Sequence, residues 1–156
     1  MTNATTIIAN PGELWVDIDR VIDAPVDRVF AAYTEQGLIS KWLGPRGYVM
    51  DVTAFDPRDG GEWAFTHITP TGGRFGFRGT FHTVKTNERI IQTFEYLGAE
   101  GHVSLESLVF EDLGDKTELH GHAVYQSVED RDAMINNGME RGVVEGFEQL
   151  DEVLAS

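Results

Sequence analysis

The alternation of apolar and polar residues predicts a sheet made of consecutive strands. In residues 14–22, Val16 and Ile18 fall on one side and Asp17 and Asp19 on the other, which is the period of a half-buried strand. Similar segments between turn signals predict further strands at Tyr48–Phe55, Glu62–Thr69, Arg74–Thr86, Arg89–Leu97, His102–Glu111 and Lys116–Gln126. Because these strands follow one another without an intervening helical pattern, we expect an antiparallel meander, since a parallel pair would need a long crossover.

Two short helices are expected after the first strand. Pro25 and Asp27 suit the first turn of a helix, and the apolar residues of segment 26–33 recur at helical spacing. A second short helix is predicted over Gln36–Leu43, and the Gly44-Pro45 pair that follows it would end it.

The last part of the chain, Ser127–Leu154, predicts one long amphipathic helix. Its apolar residues recur every three or four positions and form a stripe made of Met139, Val143, Phe147, Leu150 and Leu154. Ser127 and Asp130 have the spacing of a capping box that begins a helix. The Asn-Asn-Gly segment at 136–138 is expected either to kink this helix or to split it.

Glycines occupy the same helical stripe or lie beside it. They are Gly138, Gly142 and Gly146, and each costs roughly 1 kcal/mol relative to alanine inside a helix. Two explanations are open: a curved sheet passes close to the helix, or space is left for a bound molecule.

The order of these elements predicts an α+β fold. We expect a curved antiparallel sheet of about six or seven strands around the long C-terminal helix, with two short helices after the first strand. Residues 1–12 are expected to form a flexible arm, and residues 13–156 a single domain.

Composition narrows the possible partners. The chain has 156 residues, no cysteine and a formal net charge of −14 at pH 7. This charge argues against nucleic acids and anionic membranes, because phosphate recognition needs a basic patch. No window approaches the roughly 20 apolar residues of a membrane span, and the N-terminus lacks the pattern of a secretory signal. We therefore expect a cytoplasmic protein without membrane insertion, and no motif dictates a cofactor.

Four successive segments resemble a known family. They are Asp23–Pro45 (DAPVDRVFAAYTEQGLISKWLGP), Asp56–Phe65 (DPRDGGEWAF), Phe77–Phe94 (FRGTFHTVKTNERIIQTF) and Asn137–Leu154 (NGMERGVVEGFEQLDEVL). They are similar to the bacterial proteins named after the C-terminal domain of the heat-shock-protein-ninety ATPase activator, within the START-like, helix-grip (SRPBCC) superfamily. The sequence departs from many relatives at Leu43, where they carry a second tryptophan. The resemblance implies a helix-grip fold with a hydrophobic pocket, whereas functions in the superfamily range from lipid carriers to polyketide cyclases.

The inner faces of the strands and the glycine-bearing helix are expected to enclose a cavity. Strand geometry puts Trp63, Phe65 and His67 on one face. The residues expected to line the cavity are Trp42, Trp63, Phe65, Phe77, Phe81, Phe94, Tyr96, Leu108, Tyr125, Met139, Gly142 and Val143. A filled core is the alternative for any single aromatic residue, since its full burial stabilises by about 1.5–3 kcal/mol.

Polar residues on the predicted inner face are the candidates for chemistry. Glu106 shares the parity of Leu108 and Phe110, and two positions are open for it: it points inward, or a bulge or strand end exposes it to solvent. Glu106, His67 and Tyr125 are the candidate acid–base residues if the protein is an enzyme.

A second polar group lies on the opposite face of the last strand. Glu118, His120 and His122 have a spacing that can contribute to a metal site. They oppose the core-facing Leu119, and the sequence indicates no further protein ligand, so no metal is predicted.

These patterns leave several functions open. The first is a protein, monomeric or homodimeric, that binds a small apolar or aromatic molecule without catalysis. The second is an enzyme of the cyclase or hydratase kind that uses the same cavity. The third, a chaperone-associated or stress-response role, is implied only by the family resemblance.

Overall fold

A computed structural model describes residues 3–155 of the chain. Within this range one antiparallel sheet of eight strands has the order β1-β2-β8-β7-β6-β5-β4-β3. The strands are β1 Thr5–Ile8, β2 Trp15–Ile22, β3 Val49–Phe55, β4 Glu62–Ile68, β5 Arg74–Lys85, β6 Arg89–Tyr96, β7 Val103–Asp112 and β8 Thr117–Val124. The helices are α1 Val26–Thr34, α2 Gln36–Ile39, α3 Val128–Asn136 and α4 Met139–Ala155, and a 3-10 turn covers Leu97–Ala99. None of the described helices is long and apolar enough to cross a bilayer.

The predicted α+β fold with an antiparallel meander is confirmed. Strands β3 to β8 pair in chain order, and β8 then pairs with β2. The predicted strand number was slightly too low, because Thr5–Ile8 forms an edge strand on β2, with Ile7 opposite Ile18. This part of the predicted flexible arm is therefore ordered, while residues 1 and 2 of the arm lie outside the described residues. A four-residue strand is too short to produce a readable alternation.

The C-terminal helical segment is split rather than continuous. Ser127 is the N-cap residue of α3. Its Oγ accepts a hydrogen bond from the Asp130 backbone N–H at 3.0 Å, as the capping box predicted. Helix α3 ends at Asn136, and Gly138 has a φ of +87° before α4 begins. A residue with a side chain rarely adopts this conformation, so the glycine allows the chain to change direction here.

The core lies between the inner face of the sheet and the second half of α4. Phe147, Leu150 and Leu154 of α4 are buried together with Ile22 and Leu119 of the sheet. Helix α1 closes one end through its buried residues Val29, Phe30 and Ala32. This packing leaves the first half of α4, around Met139 and Val143, only half-buried.

The glycines of α4 face a loop, not the sheet. A Cβ atom at Gly146 would lie 3.4 Å from the Gly44 nitrogen and 3.5 Å from the Trp42 carbonyl oxygen. The Gln149 amide donates to the Trp42 and Gly44 carbonyls at 3.2 and 2.8 Å. Of the two explanations that the sequence left open, the close approach of the sheet is therefore wrong, because the loop after α2 lies at that position and its carbonyls accept hydrogen bonds from α4.

A buried ion pair fastens α4 to the sheet. Arg20 of β2 is only 2% exposed, and its guanidinium donates to both carboxylate oxygens of Asp151 at 2.9 and 2.7 Å. The same guanidinium lies 5.7 Å from the ring centre of Phe147, within the range of a cation–π interaction. Arg20 and Asp151 are 131 positions apart in sequence, and no sequence pattern predicts their contact.

We expect Asp151→Ala to destabilise the protein by about 3 kcal/mol, because it leaves the buried Arg20 guanidinium without a counter-charge. Urea denaturation measures this loss. The matched control is Glu148→Ala on the same helix, whose exposed carboxylate lies 3.7 Å from Arg46 and should contribute less than about 1 kcal/mol. Equal losses for the two variants would contradict the structural role of the Arg20–Asp151 pair.

Two glycine substitutions should change stability in opposite directions. At Gly138 nothing lies within 4 Å of an added Cβ, so alanine meets only the cost of a positive φ, about 1–2 kcal/mol. At Gly142 an added Cβ makes ordinary contact with Pro45 at 3.9 Å, and alanine should stabilise the helix by about 0.5–1 kcal/mol. Urea denaturation of Gly138→Ala and Gly142→Ala compares them, and a shared sign would refute this account of the split helix.

Candidate functional site

A cavity of about 950 Å³ lies between the sheet, the first half of α4 and the loop after α2. One end of the space between helix and sheet is filled by Phe147 and Leu150. The other end is bounded by smaller or half-buried residues of α4, including Gly142 and Val143. The cavity therefore results from a helix that packs tightly against the sheet over only half of its length.

The structure brings the sequence-predicted lining residues together around one cavity. Trp42, Trp63, Phe65, Phe77, Phe81, Phe94, Tyr96, Leu108, Tyr125, Met139, Gly142 and Val143 all border the space. Some of them also belong to the core: Trp42 is 3% exposed, and its indole N–H donates to the Ala32 carbonyl at 2.9 Å. The same residues thus contribute both to the core and to the lining of the cavity.

Aromatic rings form a continuous surface across β4, β5 and β6. Phe77 lies at its centre, with ring-centre distances of 5.4 Å to Phe65, 5.3 Å to Phe94 and 5.4 Å to Tyr96. Trp63 stacks on Phe65 at 5.3 Å. Such a wall favours flat, apolar or aromatic molecules.

Gly79 allows the aromatic wall to pack closely and does not enlarge the cavity. A Cβ atom at Gly79 would lie 2.0 Å from the Thr93 carbonyl oxygen and 2.5 Å from the Trp63 indole nitrogen. Glycine therefore lets the Trp63 ring lie directly on β5. The small inner-face residues Gly121 and Ala123 of β8, in contrast, border the cavity.

Exposed lining residues mark where the cavity reaches solvent. Phe75 is 39% exposed, and His102, Asn137 and Gly138 are also exposed while bordering the same space. His102 Nδ1 lies 2.8 Å from an Asp130 carboxylate oxygen, which joins the start of β7 to α3. The opening therefore lies beside α3 and the α3–α4 junction.

Glu106 points into the cavity from the middle of β7. It borders the space and lies opposite Gln92 of β6 and Ala123 of β8. The Gln92 amide donates to Glu106 Oε1 at 3.2 Å. Burial in apolar surroundings raises the pKa of Glu106 to about 7, and the bond from Gln92 offsets part of this effect. Sequence parity had left open whether Glu106 is exposed; the structure places it inside.

Two tyrosines respond to the same environment. Burial raises the pKa of Tyr33 and of Tyr125, and the negative charge of Glu106 adds to both increases. Tyr125 was a sequence-predicted candidate, whereas Tyr33 was assigned only to a helical face. Gln92 was also missed, although it shares the strand parity of Ile90 and Phe94, which is the signal that could have found it.

His67 lies at the side of the cavity near the loop after α2. Its Nε2 lies 3.2 Å from the Leu43 carbonyl oxygen, so this nitrogen carries the proton as donor. Burial lowers the pKa of His67, and the hydrogen bond to Leu43 opposes the decrease. Its ring packs against Phe65 at 4.9 Å and Phe77 at 5.5 Å. The neutral imidazole of His67 completes the aromatic wall. It lies on β4, away from the Gln92–Glu106 pair on β6 and β7.

Charged residues on the outer face of the sheet form a separate cluster. Glu111, Glu118 and His120 offer ligand atoms within 4.8 Å of one another, and Asp19 lies 2.7 Å from His120 Nδ1. Hydrogen bonds to Glu111 and then Asp19 raise the pKa of His120, which favours a cationic imidazole among carboxylates. His122 does not join them, because its Nδ1 pairs with Asp17.

The curved sheet, the gripped helix and the cavity between them define a START-like, helix-grip protein. A family model described as Activator of Hsp90 ATPase homolog 1-like protein matches residues 23–155, and the chain belongs to this family. No curated protein matches the sequence. The resemblance seen in the sequence is thereby confirmed.

Solved structures support the same fold. A protein from Rhodobacter sphaeroides is 26% identical, with a TM-score of 0.88 over 97% of this chain and 99% of that one. A protein from Arthrobacter aurescens is 23% identical, with a TM-score of 0.88 over 96% and 91%. The AHSA1 protein from Silicibacter pomeroyi is 18% identical, with a TM-score of 0.76 over 90% and 97%. At the two lower identities the likeness concerns the fold alone.

The raised pKa of Glu106 should make its contribution to stability depend on pH. Between the ordinary value of 4.5 and about 7, the unfolded chain releases a proton that the folded protein retains, so stability from this group falls as pH rises. Relative to wild type, Glu106→Gln should therefore gain up to about 3 kcal/mol between pH 4 and pH 8. Urea denaturation across this range measures the difference.

The control for this measurement is Glu95→Gln. Hydrogen bonds from the Gly101 backbone and Arg78 lower the pKa of Glu95, so its contribution is present above the unfolded pKa and lost as pH falls. Glu95→Gln should thus lose stability relative to wild type as pH rises. A Glu106→Gln profile with the same sign as this control would show that Glu106 is not held in an apolar environment.

Proposed function

We propose that this protein binds a small apolar or aromatic molecule in the cavity between the sheet and α4. A volume of about 950 Å³ is within the range of sites for drug-sized ligands. The lining is mainly aromatic and aliphatic, with a few polar groups at fixed positions, which is the usual composition of such sites. Burial of the ligand surface would supply the main driving force, at roughly 25 cal/mol per Å².

The observation that carries this proposal is the unfilled space above the aromatic wall. The Phe77 ring contacts Phe65 and Phe94. The α4 residues that border the cavity are Met139, Gly142, Val143, Gly146 and Phe147, and two of these five are glycines. A packed core normally has no void much larger than a water molecule. A cavity of this size beside large apolar side chains is better explained by a bound molecule than by imperfect packing.

An acid–base enzyme is the second candidate, and Glu106 is the specific observation in its favour. A carboxyl group with a pKa of about 7 can both give and take a proton near neutral pH. Tyr33 and Tyr125 border the same cavity. A cyclase or hydratase reaction would use Glu106 to move a proton of the bound molecule, and binding remains its first step.

A chaperone-related role is suggested by the family description alone. Several exposed apolar side chains that could support a protein partner lie on separate elements, with Ile8 on β1, Val49 on β3 and Leu113 after β7. We therefore place the activity in the cavity, in a cytoplasmic protein that acts as a monomer or homodimer.

Filling the cavity should abolish binding. Ala123 borders the space from β8, so Ala123→Phe places a ring inside it, while Val124→Phe places the same ring on the opposite face of the same strand. We expect the affinity for Nile red, a neutral apolar dye, to fall at least tenfold in Ala123→Phe and to change less than threefold in Val124→Phe. Fluorescence titration measures both constants.

Wild-type protein that fails to bind Nile red, or equal losses in the two variants, would refute binding in the cavity. Native mass spectrometry of freshly purified protein gives an independent check, because a retained small molecule should be present in wild type and lost from Ala123→Phe.

A further inference from the structure

We infer that the bound molecule is an alkylamine that carries an aromatic or polycyclic ring system and whose protonated nitrogen lies at the Glu106 carboxylate. This inference rests on the proposed function, since it assigns a chemical class to the ligand of the same cavity. It follows from the position of one carboxylate, the space beside it and the absence of lysine and arginine along the described cavity wall.

The Glu106 carboxylate has hydrogen-bonding capacity that the protein does not use. A carboxylate can accept about four hydrogen bonds, and the Gln92 amide supplies one, to Oε1 at 3.2 Å. No further donor to this group occurs among the hydrogen bonds of residues 3–155. A ligand that donates here would satisfy a polar group that is costly to leave unpaired in an apolar site.

The space beside Glu106 is open because its neighbours on β8 are small. Ala123 lies directly opposite Glu106, and Gly121 lies opposite Leu108, one inward-facing position further along the same strand pair. Both small residues border the cavity. A nitrogen can therefore approach the carboxylate while the remainder of the molecule lies against the aromatic wall. Aromatic faces also attract a cation, which adds to the preference for ammonium.

The described lining contains no lysine or arginine. Arg20 and Arg131, the buried arginines, are engaged elsewhere: Arg20 pairs with Asp151, and Arg131 donates to the Asn10 and Trp15 carbonyls. A carboxylate or phosphate ligand would find no lysine or arginine on the described lining to pair with, and it would lie in one cavity with Glu106. The net charge of −14 further favours cations over anions at the opening. Fatty acids and acyl phosphates are therefore disfavoured.

A neutral alcohol is the closest competitor, since its hydroxyl could also donate to Glu106. Both molecules would donate a hydrogen bond to the ionised carboxylate, but only the ammonium adds an attraction between opposite charges. After the cost of removing the ammonium from water, we expect this attraction to favour the amine by about tenfold when the remainder of the molecule is the same, which corresponds to about 1.4 kcal/mol.

The test compares three molecules that share one ring system: 9-(aminomethyl)anthracene, 9-anthracenemethanol and 9-anthracenecarboxylate. Their dissociation constants are measured by fluorescence at pH 8, where Glu106 is ionised. Wild type should bind the amine at least tenfold more tightly than the alcohol, and the carboxylate at least tenfold more weakly than the alcohol. In Glu106→Gln the amine should lose about tenfold, while the alcohol should change less than threefold.

Asp130→Asn is the control, because Asp130 is the other carboxylate that borders the cavity. This variant should keep the preference for the amine. If Asp130→Asn removes the preference and Glu106→Gln does not, the nitrogen is held at the opening and the inference is overturned.

The remaining outcomes separate this inference from the proposed function. Equal affinities for amine and alcohol in wild type, or binding of Nile red without binding of the amine, overturn the inference and leave the cavity proposal standing. Failure of Nile red and of all three anthracenes overturns both. Because the wild-type ratio decides by itself, the test still holds if Glu106→Gln does not fold.

Discussion

The arrangement of the molecule depends on how α4 is attached to the sheet. Two parallel hydrogen bonds join Arg20 to Asp151, and this fork geometry forms in only one rotation of the helix. The Phe147 ring lies beside the Arg20 guanidinium, and Leu150 of the same helix is fully buried. A buried ion pair adds little net stability over an apolar pair of the same shape, but it is directional. Fixing α4 at its C-terminal half leaves the N-terminal half free to stand away from the sheet.

The cavity is a consequence of that attachment. The loop after α2 packs against the middle of α4, since the Gln149 amide donates to the carbonyls of Trp42 and Gly44 and Gly146 lets this backbone approach. Neither contact fills the space over the aromatic wall around Phe77. The structure therefore maintains an opening in a core that the same side chains would otherwise fill, which is the property on which the proposed binding function rests.

Two glutamates on this sheet have pKa values shifted in opposite directions, because their surroundings differ. Glu95 accepts bonds from the Gly101 backbone and Arg78, and its pKa is lowered. Glu106 receives one amide bond in apolar surroundings, and its pKa is raised to about 7. On the outer face, His120 lies among carboxylates that raise its pKa. Some carboxylates on the outer face thus have a basic partner, such as Arg78 for Glu95 and His120 for Glu111, whereas Glu106 lies inside without one and is available to a ligand.

The sequence by itself determined which residues face inward, because strand and helix periods are local properties of the chain. The antiparallel order and the aromatic inner face followed from these patterns, and the family followed from the resemblance of four segments. Only the tertiary structure decided how far apart the two inner faces lie, since that distance is set by contacts such as Arg20–Asp151 between residues distant in sequence. It also decided that Thr5–Ile8 completes the sheet, that the last helix divides at Gly138, and that Glu106 lies beside Gln92. Periodicity assigns a residue to a face, but it carries no information on what stands opposite, so the cavity could be predicted as a possibility and located only in three dimensions.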